Sequence, residues 1–387
     1  MSKQRGKGPT EVVLETCPHC GELVPVGTFC GNCGAHLTDT GGRARLHAYA
    51  AAPNEHVVRA TVISTLLPHL PHRHAHVFRE VLGAGVLIVL LLAALRLYTS
   101  ALIGAALLLP ILYLIYLYEV DIYETEPVLV VGATFVTGAV LGIGYALVTG
   151  HFISGTIGGT QQGPFVSGVV LPLIAQLLMV AGPLLLLSHS QFDETLDGLT
   201  FGVTAALGFT LAAVLTGFWH VLTAPLQGDA SLSSGEVLRL VREGILLQLV
   251  NATTTGAITA ALWLRTHGRS RRRHVAQWRE FGPTVALAFL AQIVLGLVSY
   301  YVTSLVLQVV LWGIAAAALL VWLRVILHHA LLEEGSKVAM IGDVTACPEC
   351  DRLVPTMLFC PACGVARTAA SKPAGAPAAP KTGEVTG

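Results

Sequence analysis

Residues 168–188 read GVVLPLIAQLLMVAGPLLLLS, a stretch without one Asp, Glu, Lys or Arg. A bilayer core takes about 20 apolar residues per helix, so this stretch is long enough to cross it. It is one of eight such spans, over about 81–98, 101–118, 128–148, 168–188, 198–220, 243–264, 283–302 and 304–327. The turns at 99–100 and 302–304 are short, which makes hairpins of the spans they join. The composition agrees: 53% of the residues are hydrophobic and 12% charged, where a soluble domain is about a quarter charged. Formal net charge is zero, so no global field favours nucleic acid. The expected fold class is an all-α polytopic membrane protein with about eight transmembrane helices and, at each end, a small β-hairpin module built on four cysteines.

Eight cysteines stand outside the spans in two groups of four, and each group reads as a small β-hairpin zinc ribbon. The first group is CPHCGELVPVGTFCGNCG, with Cys17, Cys20, Cys30 and Cys33; the second is CPECDRLVPTMLFCPACG, with Cys347, Cys350, Cys360 and Cys363. Each is C-x2-C-x9-C-x2-C, and the units also agree at Pro18/Pro348, Leu23/Leu353, Val24/Val354, Pro25/Pro355, Phe29/Phe359 and Gly34/Gly364. Two residues between cysteines make a tight knuckle that aims both sulfurs at one point. Nine residues between knuckles leave room for a short hairpin. Four thiolates suit tetrahedral Zn2+ and close its shell, so the expected cofactor is two structural ions, one per ribbon. So short a unit has little core, and metal binding should supply its folding energy. The competing reading, thioredoxin-type redox pairs, expects one C-x-x-C at a helix start within a βαβ unit, a context absent here. The repeat resembles the zinc ribbons at the ends of many bacterial membrane proteins. Neither unit has a basic, aromatic face, so protein partners are expected and nucleic acid is not.

The organisation follows: a flexible N-terminus at 1–16, ribbon 1 at 17–36, a cytoplasmic linker at 37–79, the transmembrane domain at 80–328, a helical linker at 329–346, ribbon 2 at 347–365 and a disordered tail at 366–387. The opening MSKQRGKGPT lacks an apolar run and reads as no signal peptide. Within the linker, NEHVVRATVISTL (54–66) carries Val57, Val58, Val62 and Leu66 at helical spacing and Asn54 as a candidate N-cap, which predicts an amphipathic helix. The loop after the sixth span, RTHGRSRRRHVAQWRE, holds Arg265, Arg269, Arg271, Arg272, Arg273 and Arg279 and should stay in the cytoplasm. An even number of spans then puts both termini there, in a plasma membrane.

Three stretches over about 105–265 resemble the PrsW family of intramembrane proteases. In LYLIYLYEVDIYETEP, Asp121, Glu124, Glu126 and Pro127 are similar to that family's acidic loop. In FDETLDGLTFGVTAALGF, Asp197, Gly198, Gly202, Gly208 and Phe209 resemble its D-G-x-x-Y-G…G-x-G-F pattern, with Phe201 and Ala206 as departures. REGILLQLVNATTTGAITA resembles its histidine-bearing span. The catalytic positions that the resemblance carries over have lost their ionisable groups. Ala175 and Gln176 stand at the glutamate pair, Met179 at the lysine, Ala213 and Val214 near the Glu-Asn pair, and Asn251 at the histidine.

The residues agree without the family. Activating water needs an acid, a base or a metal. The interiors of spans four to eight hold Gln176, Thr210, Gln248, Asn251, Thr253, Thr254, Thr255, Gln292 and Gln308, none of which titrates near neutral pH. His220, Glu243 and Arg324 stand at span ends. The expected function is a non-catalytic scaffold or protein-binding pseudoprotease of a bacterial inner membrane. The alternative is an active protease drawing acids from Asp193, Glu194 and Asp197, or from Glu333 and Glu334; a transporter ranks third. Three features read as plain surface: Glu333 with Lys337 as an i,i+4 pair, the acidic stretch 119–126, and the elbow histidines His69, His72, His74 and His76 at the headgroup boundary.

Overall fold

The computed structural model describes residues 13–38, 48–53, 55–68, 76–119, 128–155, 163–187, 192, 195–219, 234–267, 274–334 and 341–370. The chain divides into two compact units. One joins both ends, Met1–Arg59 and His328–Ser371, and the other centres on Ala60–Leu327.

The terminal unit holds two copies of one small module. In the N-terminal copy, β1 (Leu14–Thr16) pairs antiparallel with β2 (Leu23–Pro25); in the C-terminal copy, β3 (Val344–Ala346) pairs with β4 (Leu353–Pro355). The register is the same in both: Glu15 faces Val24, and Thr345 faces Val354. Position n of the first copy corresponds to n + 330 of the second, as Cys17 does to Cys347. Each hairpin straddles the first knuckle, so one strand precedes the cysteine pattern. The expected position, between the knuckles, is thereby corrected: Leu14–Thr16 and Val344–Ala346 lie ahead of the first cysteine. The strap Tyr49–Ala52 belongs to this unit and is buried. The Ala50 N–H donates to Nδ1 of His328 at 3.2 Å, and its carbonyl accepts from Ala366 N–H at 2.8 Å. The expected linker 37–79 therefore contains a packed segment.

The helical unit begins with α1 (Val62–Leu66) and then long helices: α2 (His76–Ala94), α3 (Tyr98–Glu119) and α4 (Val128–Gly155). Helix α5 is a π-helical turn, Val166–Val170, leading into Leu171–Leu186. Helix α6 is Thr195–Gly217. Helix α7 runs as Ser234–Arg239, a π-helical Leu240–Leu246, and Leu247–His267. Helices α8 (His274–Tyr301) and α9 (Leu305–Glu334) follow. Among the described residues, seven helices, α3 to α9, are long and apolar enough to cross a bilayer. Helix α2, 19 residues with Leu87, Ile88, Leu90 and Leu91 exposed, stands where the first expected span lies. Arg96, in the left-handed region at φ 64°, ends α2 and starts the tight turn into α3. Outward-facing Leu129, Val136, Val140, Leu147, Leu290, Val294 and Ile314 form an apolar surface of the kind lipid covers.

Helix α6 is the axis of the bundle, 83% buried. It lies against α4 on one side and α7 on the other through residues without side chains. A methyl on Gly142 would overlap the Phe209 carbonyl, one on Gly208 the Phe135 carbonyl, and one on Gly202 the Thr259 hydroxyl. Small residues at this spacing let membrane helices approach to backbone contact. The expected packing role of Gly198, Gly202, Ala205, Ala206 and Gly208 is what the structure has. The matching Gly138-x-x-x-Gly142 pair on α4 is a signal the sequence reading passed over.

The expected helix over 54–66 is present only in its last turn, Val62–Leu66. Thr61 is extended (φ −118°, ψ 123°), and its hydroxyl and that of Ser64 both accept from Nη1 of the fully buried Arg324 on α9. Fixing Thr61 there stops the helix from extending backwards. Asn54 lies outside the described residues, as do Arg269, Arg271, Arg272 and Arg273 of the basic loop.

Candidate metal centres

The four sulfurs of each group converge. Within Cys17, Cys20, Cys30 and Cys33, and within Cys347, Cys350, Cys360 and Cys363, all ligand atoms lie within 4.8 Å of one another. The sulfurs of Cys17 and Cys33 are 3.9 Å apart, and those of Cys20 and Cys30 3.8 Å. Cys347 and Cys363 are 3.9 Å apart, as are Cys350 and Cys360. A tetrahedral site with metal–sulfur bonds of about 2.3 Å has sulfurs about 3.8 Å apart, whereas a disulfide needs about 2.05 Å. The spacing is that of a metal shell, and two such groups can hold two ions.

The local sequence makes this geometry. The residue after each knuckle turns into the left-handed region, Gly21 at φ 78°, Gly34 at 68°, Asp351 at 59° and Gly364 at 83°. That turn brings its N–H back to the carbonyl of the first cysteine: Gly21 to Cys17 and Gly34 to Cys30 at 2.9 Å, Asp351 to Cys347 and Gly364 to Cys360 at 2.8 Å. Glycine takes this conformation freely and Asp tolerates it, which explains the C-x-x-C-G signature. Inside the knuckles, His19 N–H reaches Cys17 Sγ and Cys33 N–H reaches Cys30 Sγ, both at 3.4 Å.

The thiols perturb one another. In the N-terminal module the hydrogen bond from Cys30 holds Cys33 down to about 5, while Cys30 is pushed up by Cys33 and by burial. Burial also raises Cys20. In the C-terminal module the bonds from Cys347 and Cys363 hold Cys360 down to about 3, and Cys363 is pushed up by Cys347 and Cys360. The first and second cysteines of the knuckle exchange roles between the copies. What the copies share is one thiolate stabilised by neighbouring thiols and further ionisation opposed until a cation arrives. The apolar core around the first group is small: Val24, Ala35 and, from the other module, Met357.

The bundle carries a second constellation. Gln176 on α5, Asn251, Thr254 and Thr255 on α7, Gln292 on α8 and Thr210 on α6 are all buried. Gln176 Nε2 donates to Thr255 Oγ1 at 3.0 Å and its Oε1 accepts from Thr254 at 2.9 Å. Gln292 Nε2 lies 3.0 Å from Gln176 Oε1 and 3.0 Å from Asn251 Oδ1, and Asn251 Nδ2 donates to Thr210 Oγ1 at 2.9 Å. Met179 Sδ stands 3.8 Å from the Thr255 hydroxyl. The network joins four helices without an ionisable group, as the sequence reading of these residues as interhelical links expects. Gln248 and Gln308 bond elsewhere, to the Ala106 carbonyl and to Arg242.

Among the other acids, Asp197 is half-buried in the first turn of α6, and Glu243 pairs with Arg242. Glu333 and Glu334 fall in the last turn of α9. Asp121, Glu124, Glu126, Pro127, Asp193, Glu194, His220, Lys337, His69, His72 and His74 lie outside the described residues.

Fold and sites together define a polytopic helical membrane protein with a cysteine-rich, zinc-ribbon-like module near each end. Comparison with family models, with curated proteins and with solved structures returned no match.

Proposed function

We propose that this chain is a zinc-binding integral membrane protein without catalytic chemistry of its own, a scaffold that offers paired zinc ribbons to protein partners on the cytoplasmic side of a bacterial inner membrane. The observation that carries this reading is the pair of closed tetrathiolate shells. Cysteine-only shells favour soft or borderline ions such as Zn2+, and with all four positions filled by protein no site is left for water or substrate. Each ion then serves to fold its module. That the two modules pack in one unit supports this topology, since ends on one side of a bilayer need an even number of crossings, with α2 as the eighth span.

The helical core reads as a PrsW-like pseudoprotease. In support, Gln176, Met179 and Asn251, the positions that the resemblance assigns to acid, lysine and histidine, meet in one buried cluster. Their amide and thioether groups carry no titratable proton near neutral pH. The test uses the full-length protein purified in detergent. Two zinc ions per chain and no cleavage of membrane-embedded substrates are expected. Protein purified without zinc sinks the ribbon reading, and cleavage abolished by Asp197→Ala sinks the pseudoprotease reading.

A further inference from the structure

We infer that the two metal sites are thermodynamically coupled: the second knuckle of each module is the seat of the other module, so emptying one site weakens metal binding at its counterpart. This inference rests on the zinc-ribbon reading and goes beyond it.

The contacts obey a two-fold exchange. Phe29 N–H donates to the Pro361 carbonyl at 3.0 Å, and Phe359 N–H donates to the Gly31 carbonyl at 2.9 Å. Under the offset of 330, Phe29 corresponds to Phe359 and Gly31 to Pro361, so each contact is the image of the other. Thr28 N–H adds a second bond to Pro361, at 2.9 Å. Side chains follow the same exchange. The Phe359 ring lies where a Cβ on Gly34 would stand, and the Phe29 ring where one on Gly364 would stand. Met357 lies over Gly31, and Pro361 lies against the corresponding Gly27. This is the isologous pattern of a symmetric dimer, here formed by the two ends of one chain.

The accepting carbonyls belong to the residues directly after Cys30 and Cys360. Their direction is set by the knuckle, which four sulfurs around an ion hold closed. A knuckle that opens on losing its ion withdraws the acceptor for the other module's N–H groups and the seat for its phenylalanine. With so small an apolar core in each module, little else keeps the partner folded. Linkage makes the effect reciprocal.

The experiment measures zinc affinity of the full-length protein in detergent by competition with a chromophoric chelator, with total zinc counted in parallel. C347S/C350S removes the C-terminal site and should weaken the remaining site by about tenfold or more, within the range usual for coupled sites. Gly27→Leu keeps all eight cysteines, lies in one module and meets Pro361 of the other; it should bind two ions, both more weakly, and release them independently, where the unsubstituted protein releases both in one step. Adding Gly27→Leu to C347S/C350S should cost the surviving site little more, since the interface is already lost. Unchanged affinity in C347S/C350S, or two separate release steps in the unsubstituted protein, overturns the coupling while the zinc reading stands. An unsubstituted protein without zinc overturns the zinc reading itself. If C347S/C350S does not yield monodisperse protein, Gly27→Leu alone decides.

Discussion

Gln292 Nε2 donates to Oε1 of Gln176 at 3.0 Å, tying α8 to α5 through two side chains that carry no charge. Each glutamine has three partners, but Gln176 both donates, to Thr255, and accepts, from Thr254 and Gln292, whereas Gln292 only donates, to Gln176, Asn251 and Thr254. Interhelical bonds of this kind contribute about 0.6 kcal/mol on average in membrane bundles and about 1.7 at most, while a buried polar group left unsatisfied costs about 1–3 kcal/mol. Gln176→Leu removes a donor and an acceptor together, whereas Gln292→Leu removes a donor alone. Denaturant unfolding in mixed micelles should therefore show the larger loss for Gln176→Leu; equal losses would remove Gln176 from the centre of the network.

The contact between α4 and α6 predicts a contrast among glycines. Gly208→Val places a branched side chain against the Phe135 carbonyl and should destabilise the bundle by about 1–3 kcal/mol, the usual cost of overpacking. Gly132 on α4 has open space where a Cβ would stand, so Gly132→Ala should be neutral or mildly stabilising through helix propensity. Thermal unfolding of the two variants side by side reads this directly; a Gly208→Val protein as stable as the parent would refute the close approach.

The cysteine groups were legible in sequence because coordination is satisfied by residues close together in the chain: C-x2-C-x9-C-x2-C already brings four thiols to one point. The helices were legible because bilayer thickness fixes their length, and Gln176, Asn251 and Gln292 because polar residues in apolar spans need partners. Other features depend on segments far apart in the chain. The seat of Phe29 on Pro361 leaves no local period. The strap Tyr49–Ala52 is one tyrosine and three alanines whose burial depends on His328 and Ala366 near the far end of the chain. The helix expected from Asn54 had the right spacing, but Arg324 claims Thr61 and Ser64 and ends it.

Metal occupancy should fall with acid, and the shifted thiols set the slope. Cys20 and Cys30, raised above the ordinary range, hold their protons at neutral pH, so an incoming ion must displace them. Cys33, held down to about 5, is already a thiolate at pH 7 and releases none until the pH nears that value. Between pH 6 and 8 the first group should therefore release no more than three protons from its four thiols. Below about 5 the dependence should steepen, because Cys33 then protonates as well. Calorimetry of zinc binding in buffers of different ionisation enthalpy counts the protons. Four released at pH 7 would show that Cys33 is not held down.

Arg324 makes the last prediction. Its guanidinium is fully buried, and Nη1 donates to the Thr61 and Ser64 hydroxyls, the latter at 2.6 Å. The planar guanidinium reaches two acceptors with one nitrogen; a lysine offers a single flexible point and hydrates more strongly. Arg324→Lys should therefore hold α1 only in part, and Arg324→Met should release it. Hydrogen exchange over 61–66 should then quicken in the order parent, Arg324→Lys, Arg324→Met, while amides around the Gln176 network on α5 and α7 stay protected. Fast exchange spreading into those helices would mean that Arg324 stabilises the bundle as a whole, and unchanged exchange over 61–66 would mean that α1 is held by Ser64, Thr65 and Leu66 packing alone.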